Sequence, residues 1–127
     1  MCTALFFITH NGIASNLIAV SESILRQKAV NIDYYEVSMD DSILDSIKEI
    51  DSKLAKLDCT SIIFITDIFG STPSNIAHQV AEKHQAHLIS GANLPMVIRL
   101  LNYRDAGEED LIEKAVEGAQ KGILQAR

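Results

Sequence analysis

The first strongly patterned segment is Thr3 to Thr9 (TALFFIT), a near-continuous apolar run ending in polar residues, which suits a strand buried on both faces. Apolar residues then recur at Ile13, Leu17, Val20 and Ile24, with Ile18 and Leu25 widening the stripe. The period has changed from strand to helix, and this stripe predicts the helix's buried face. The alternation repeats. Ile32 to Val37 reads as a second strand, and Ile43, Ile47, Ile50, Leu54 and Leu57 fall on one face of a second helix. Asp40 and Asp41 sit where that helix's amino-terminal dipole favours acids. Ser61 to Thr66 (SIIFIT) is a β-branched third strand, after which Thr72 and Pro73 supply a cap and a first-turn proline for a third helix. Ile76, Ala77, Val80 and Ala81 form its buried face.

The fourth strand is shorter, around Ala86 to Ser90, and Asn93 with Pro95 opens a short helix carrying Met96, Val97 and Leu100. Gly107, followed by Glu108, Glu109 and Asp110, marks a last helix with Leu111, Ala115 and Ala119 on its face and Gly122 near its end. Ile123 and Leu124 are expected to begin a final short strand. Strands alternating with helices predict an α/β fold, an open and mainly parallel sheet covered on both faces in the flavodoxin-like manner. In such a sheet, ligands bind at the carboxyl ends of the strands. No repeat, linker or low-complexity segment interrupts the pattern, so residues 1–127 are expected to form one domain.

Composition narrows the function classes. With 11 Lys and Arg against 17 Asp and Glu, the formal charge of −6 provides no broad positive field for nucleic acid or an anionic membrane, while a basic protein partner is electrostatically compatible. No stretch approaches the roughly 18 apolar residues of a membrane span. The start MCTALFFITH lacks a basic region and cleavage site of the secretory kind, so the expectation is a cytoplasmic protein without membrane insertion. Cys2 and Cys59 fit no CxxC or zinc-ligand spacing and are read as reduced thiols in or near strands.

The strand-end rule directs attention to two loops. The end of the first strand delivers Thr9, His10, Asn11 and Gly12, and the end of the third, its neighbour in a doubly wound sheet, delivers Asp67 to Thr72. A neutral imidazole nitrogen is nucleophilic near neutral pH, and a carboxylate on the other ring nitrogen fixes tautomer and orientation, so His10 and Asp67 fit the two roles. Two helix amino termini with free N–H groups adjoin them. Backbone N–H groups of Gly70, Ser71 and Thr72, with the Ser71 and Thr72 hydroxyls, would hold an incoming phosphoryl group without a metal or cofactor. Each piece alone has a structural reading: a strand-end histidine as a surface residue, Asp67 as a turn cap, Gly-Ser-Thr-Pro as punctuation. Their convergence favours the chemical one. His84 and His87 have near-ligand spacing but straddle a helix-to-strand junction without an evident acidic partner, and read with His78 as surface residues. Phe6, Phe7, Phe64 and Phe69 read as core.

Three segments, ITHNGIASNLI (Ile8 to Ile18), ITDIFGSTPSNIA (Ile65 to Ala77) and SGANLPMVIRLL (Ser90 to Leu101), together resemble the mannose-type enzyme IIA domains of the bacterial sugar phosphotransferase system. The resemblance covers nearly the whole chain. It implies that His10 accepts a phosphoryl group from HPr and donates it to a IIB domain or protein, with Asp67 bonded to the acceptor imidazole and Ser71 or Thr72 lining the phosphate pocket. It further implies that Asn93, Leu94, Pro95 and Met96 border the site and shape a partner surface, although helix initiation and core packing are their alternative roles. A homodimer exchanging a carboxy-terminal strand is also implied, for which Gly122 to Arg127 is the available tail. Two departures bear on the pocket: Asn11 stands where the family has glycine after the histidine, and Gly70-Ser71 replaces a Gly-Gly pair.

The competing readings are separable. A regulatory protein would use phosphorylated His10 only to change what it binds. The dihydroxyacetone-kinase phosphocarrier shares the architecture but not the T-P-x-N and N-L-P-M signatures. A flavodoxin needs a hydroxyl- and glycine-rich loop after the first strand and aromatic residues around its flavin, where this chain has His10 and no Trp. A phospho-aspartate receiver needs an acidic pair at the place held by His10 and Asn11.

Overall fold

The computed structural model describes residues 2–127. The elements run β1 (Thr3–His10), α1 (Ile13–Leu25), β2 (Ile32–Val37), α2 (Ile43–Leu54), β3 (Ser61–Thr66), α3 (Thr72–Lys83), β4 (His87–Ile89), α4 (Leu94–Asn102) and α5 (Glu108–Lys121). The four strands form one sheet in the order β2-β1-β3-β4. All pairings are parallel, with Leu5 opposite Ile32, Thr9 opposite Glu36, Ile8 opposite Thr66 and Ile63 opposite His87. This is the expected α/β architecture, with β1 and β3 adjacent at its centre. The order in which strands are added reverses at these two strands, since β2 lies to one side of β1 while β3 and then β4 are added on the other. The crevice outside their carboxyl ends is therefore the switch point at which open α/β sheets bind ligands.

Successive strand residues point to opposite faces, so β1 feeds two cores. Leu5 and Phe7 join Ile63, Ile65, Ile18, Val97, Leu100 and Leu111 on the face covered by α1, α4 and α5. Phe6 and Ile8 join Phe64, Ile50, Ile76 and Val80 under α2 and α3. The uninterrupted apolar runs thus follow from burial on both sides of the sheet.

Four expectations are corrected. Helix α1 buries Ala14, Ile18 and Ser21, whereas Ile13, Val20 and Ile24 of the anticipated stripe are exposed; small side chains face the sheet and allow close approach. The cap of α3 is Ser71, whose hydroxyl accepts the Ser74 N–H, and Thr72 is the first helical residue. Ile123 and Leu124 form no strand and are exposed. Cys2 and Cys59 are joined in a disulfide rather than held as thiols, because the register that sets Thr3 opposite Ser61 brings the residues ahead of both strands together. Helix α2 ends at Leu54, yet Leu57 still packs on its predicted core, and β4 is trimmed to His87–Ile89. Among the described residues no helix is long and apolar enough to cross a membrane.

Candidate functional site

His10 is the last residue of β1, and Asp67 follows the last residue of β3. One carboxylate oxygen of Asp67, Oδ2, accepts the main-chain N–H of His10 at 2.9 Å and its ring Nδ1–H at 2.8 Å. The other, Oδ1, accepts the Ile68 N–H at 2.9 Å. With Nδ1 committed as a donor, the imidazole carries its lone pair on Nε2. The side chains differ in exposure, 47% for His10 against 9% for Asp67, so the ring faces solvent while its carboxylate support is buried. Burial alone would push the Asp67 carboxyl up. The hydrogen bonds from the His10 backbone and ring and from Ile68 outweigh it and hold the carboxyl below its ordinary range.

The backbone around the histidine is fixed by its neighbours. The buried Thr9 hydroxyl donates to the His10 carbonyl at 2.9 Å and accepts the Ala14 N–H at 3.0 Å, tying the strand end to the start of α1. Gly12 turns the chain into the helix at φ 85°, a conformation that asks for glycine, and Asn11 needs no positive φ. Gly70 does the same in the second loop at φ 89°, while Ser71 is extended at φ −86°, so the Gly70-Ser71 replacement leaves ordinary backbone at the serine. The third loop closes the rim from the other side: Gly91 N–H donates to the Asp67 carbonyl at 2.8 Å and Ala92 N–H to that of Thr66 at 3.1 Å.

The anticipated phosphate donors are unequal. Gly70 N–H is taken by the Ser74 hydroxyl at 3.2 Å, and the Ser71 hydroxyl donates to the Ile68 carbonyl at 2.7 Å while capping α3. Thr72 is exposed, and neither its N–H nor its hydroxyl has a hydrogen-bond partner among the described residues. The amino end of α1 is not free as expected: Ala14 N–H is taken by Thr9, and Ser15 by the carboxylate of Glu36.

Of the four residues expected at a partner surface, Met96 is 1% exposed and belongs to the core. Asn93 caps α4 by accepting the Met96 N–H at 3.0 Å and donates to the Ala119 carbonyl at 3.2 Å. Pro95 lies so close to Gly122 that a Cβ there would run into its ring. These three hold α4 to its surroundings. Leu94 alone reaches the rim, where with Ile13, Leu17, Val20 and Ala92 it lines an apolar groove of about 350 Å³ between α1 and α4.

Sequence reasoning missed three features. Phe69 is not core: it is 71% exposed beside an exposed Ile68, with its ring edge-on to His78 at 5.6 Å between centroids. A turn directly after the candidate carboxylate is a poor place to bury an aromatic, and that position was the available signal. The bridging bonds of the Thr9 hydroxyl and the part played by Glu36 are the other two; Glu36 is the penultimate residue of β2 (IDYYEV), a strand that also carries Asp33, so its pattern does not single it out. His84 and His87 are exposed as expected, yet each has an acid nearby, Asp51 at 3.8 Å and Glu108 at 3.7 Å. No group of three or more metal-ligating side chains converges among the described residues. A larger cavity of about 440 Å³, lined by Cys2, Asn31 and Arg104, lies at the amino ends of β1 and β2, the pole opposite His10.

Residues 4–117 match the family model described as the PTS system fructose IIA component, EIIA-man. The chain is 29% identical over 127 residues to the PTS system mannose-specific EIIAB component of Escherichia coli K12, covering 97% of this chain and 39% of that protein, so it spans well under half the length of that relative. Among solved structures, the mannose/sorbose specific IIA subunit of Enterococcus faecalis superposes with a TM-score of 0.87 at 17% identity, covering 100% of this chain and 96% of the other. The phosphotransferase system component EIIA of Streptococcus agalactiae gives 0.82 at 20%, covering 97% and 96%. The last two likenesses establish the fold, and the family match over most of the chain establishes the rest: this protein belongs to the EIIA-man family, the mannose-family IIA phosphocarrier components of the sugar phosphotransferase system.

Proposed function

We propose that the chain carries a phosphoryl group on Nε2 of His10, received from the phosphohistidine of HPr and passed to a IIB domain. The reading rests above all on the 2.8 Å bond from Nδ1–H to Asp67, which leaves Nε2 as the exposed nucleophile. In the transfer, the Nε2 lone pair attacks phosphorus and the donor's N–P bond breaks, its electron pair returning to the donor imidazole. The His10 ring gains positive character, which the ionised Asp67 stabilises, and the same steps in reverse discharge it to IIB. Developing charge on the equatorial oxygens is met by the unpartnered N–H and hydroxyl of Thr72 at the amino end of α3. Gly70 and Ser71 act by shaping that turn.

Exposed Ile68 and Phe69, with the Leu94 groove, supply the apolar contact on which HPr and IIB dock in turn. The exposed Ile123 and Leu124 favour pairing of the tail with a second copy, making a homodimer. Mixing the protein with phospho-HPr tests the carrier role: wild type takes the label, His10→Ala does not, and a cognate IIB discharges it. Labelling without discharge by any IIB assigns a regulatory role, and no labelling removes the proposal.

A further inference from the structure

Two helix amino ends flank His10, and they are finished differently. The start of α1 has glycine as its N-cap, which has no side chain to cap it, and no acid in its first turn; the neutral Thr9 hydroxyl takes the Ala14 N–H. Left so, its N–H groups and dipole would attract any phosphoryl dianion carried on the neighbouring histidine. Instead, Oε2 of Glu36 reaches over from β2 and accepts both the Ser15 N–H at 2.8 Å and the Ser15 hydroxyl at 2.6 Å. Glu36 stands opposite Thr9, one residue before His10 in the β1–β2 register. Its carboxyl is half-buried, and the bonds from Ser15 and Gly12, with Lys53 nearby, outweigh that burial and keep it ionised into the acid range. Helix α3, in contrast, begins with the neutral Ser71 cap and carries no acid in its first turn.

We propose that Glu36 is a positioning residue for phosphoryl transfer: by closing the amino end of α1 with a full negative charge, it confines the phosphoryl group to the α3 side of His10 and keeps the phosphohistidine ready to discharge. The idea rests on His10 being the acceptor. A carrier that bound its phosphoryl group to both helix ends would hold it more firmly without improving its release, because ground-state stabilisation does not help the onward step. Charge at the α1 end removes that added hold while leaving the α3 side open for the equatorial oxygens.

The variant that isolates charge is Glu36→Gln, whose amide oxygen still accepts from Ser15. At equilibrium with a known ratio of phospho-HPr to HPr, its phosphorylated fraction should correspond to an equilibrium constant about two- to fivefold more in favour of the phosphorylated protein than wild type, the gain expected from uncovering one helix dipole. The gain should shrink as salt is raised. A merely structural loss would lower the melting temperature without moving the equilibrium in this direction. An unchanged constant, or one shifted towards HPr, would overturn the proposal. A second measurement needs no variant: in amide NMR spectra of the wild type, phosphorylation should shift the Thr72 N–H strongly and the Ser15 N–H little, and the reverse pattern would show that the phosphoryl group displaces Glu36. Failure of wild type to label would instead remove the His10 assignment, and the role of Glu36 with it.

Discussion

Oδ2 of Asp67 accepts two N–H groups of a single residue, the backbone and the ring of His10, at 2.9 and 2.8 Å. Two bonds to one oxygen fix both the position of the strand end and the plane of the imidazole. Asp67→Asn keeps the volume but presents either an amide N–H, which cannot accept from Nδ1–H, or a weaker neutral oxygen. The imidazolium character gained during transfer then loses its counter-charge. The rate of His10 labelling by phospho-HPr should fall roughly 10²- to 10⁴-fold, by analogy with other histidines deprived of their orienting carboxylate. Stopped-quench labelling of the two proteins at equal donor concentration measures the ratio.

The same bonds link the site to acid stability. Asp67 and Glu36 are both held below their ordinary values of 3.8 and 4.5 in the folded protein. The unfolded chain therefore binds more protons than the native one in this range, so their contribution is complete above about pH 4.5 and is lost as pH falls through the lower folded values. Urea unfolding at a series of pH values should show stability declining with acid in wild type. The Asp67→Asn, Glu36→Gln double variant should be less stable at pH 6 and have a flatter profile below pH 4.5.

Phe69 separates folding from docking. At 71% exposure its ring contributes little to the core, so Phe69→Ala should leave unfolding free energy within about 0.5 kcal/mol of wild type. As an exposed aromatic two residues after Asp67, it should matter to the partner: the KM for phospho-HPr should rise roughly tenfold while kcat changes far less. Steady-state labelling at varied donor concentration distinguishes this from damage to the histidine itself, which lowers kcat.

The parts of the fold legible in the sequence are those that burial on both faces imposes on local composition. TALFFIT and SIIFIT declare central parallel strands because burial on both faces demands a nearly unbroken apolar run, and the adjacency of the two strands brings His10 and Asp67 together. Helix α1 misled because periodicity alone does not say which side faces the sheet: Ile13, Val20 and Ile24 repeat correctly but lie outward, while Ala14 and Ser21 make the close contact. The Cys2–Cys59 pairing spans 57 residues and depends on strand register, which no spacing motif encodes. Glu36 and the occupied amino end of α1 required knowing which residue of β2 stands beside Thr9.

That disulfide closes a loop of 57 residues through the centre of the sheet, joining the approaches to β1 and β3. Cross-linking a loop of this size restricts the unfolded chain, and Cys59→Ser should lower unfolding free energy by about 2–4 kcal/mol under oxidising conditions. In excess reductant the wild type should lose the same increment and the variant nothing. Paired denaturation curves with and without reductant provide the check, and His10 labelling should be unaffected at temperatures where both proteins are folded, since the bridge lies at the opposite pole.

The central claim is that Asp67 commits Nδ1 of His10 as a donor and thereby makes Nε2 the phosphate acceptor. Nitrogen-15 and phosphorus-31 NMR of the protein labelled in its histidine rings and phosphorylated by phospho-HPr reads this directly. A phosphorus coupling to Nε2 of His10, with Nδ1 still protonated, is the predicted result; a phosphoryl group on Nδ1, on another histidine or on a carboxylate would contradict the account.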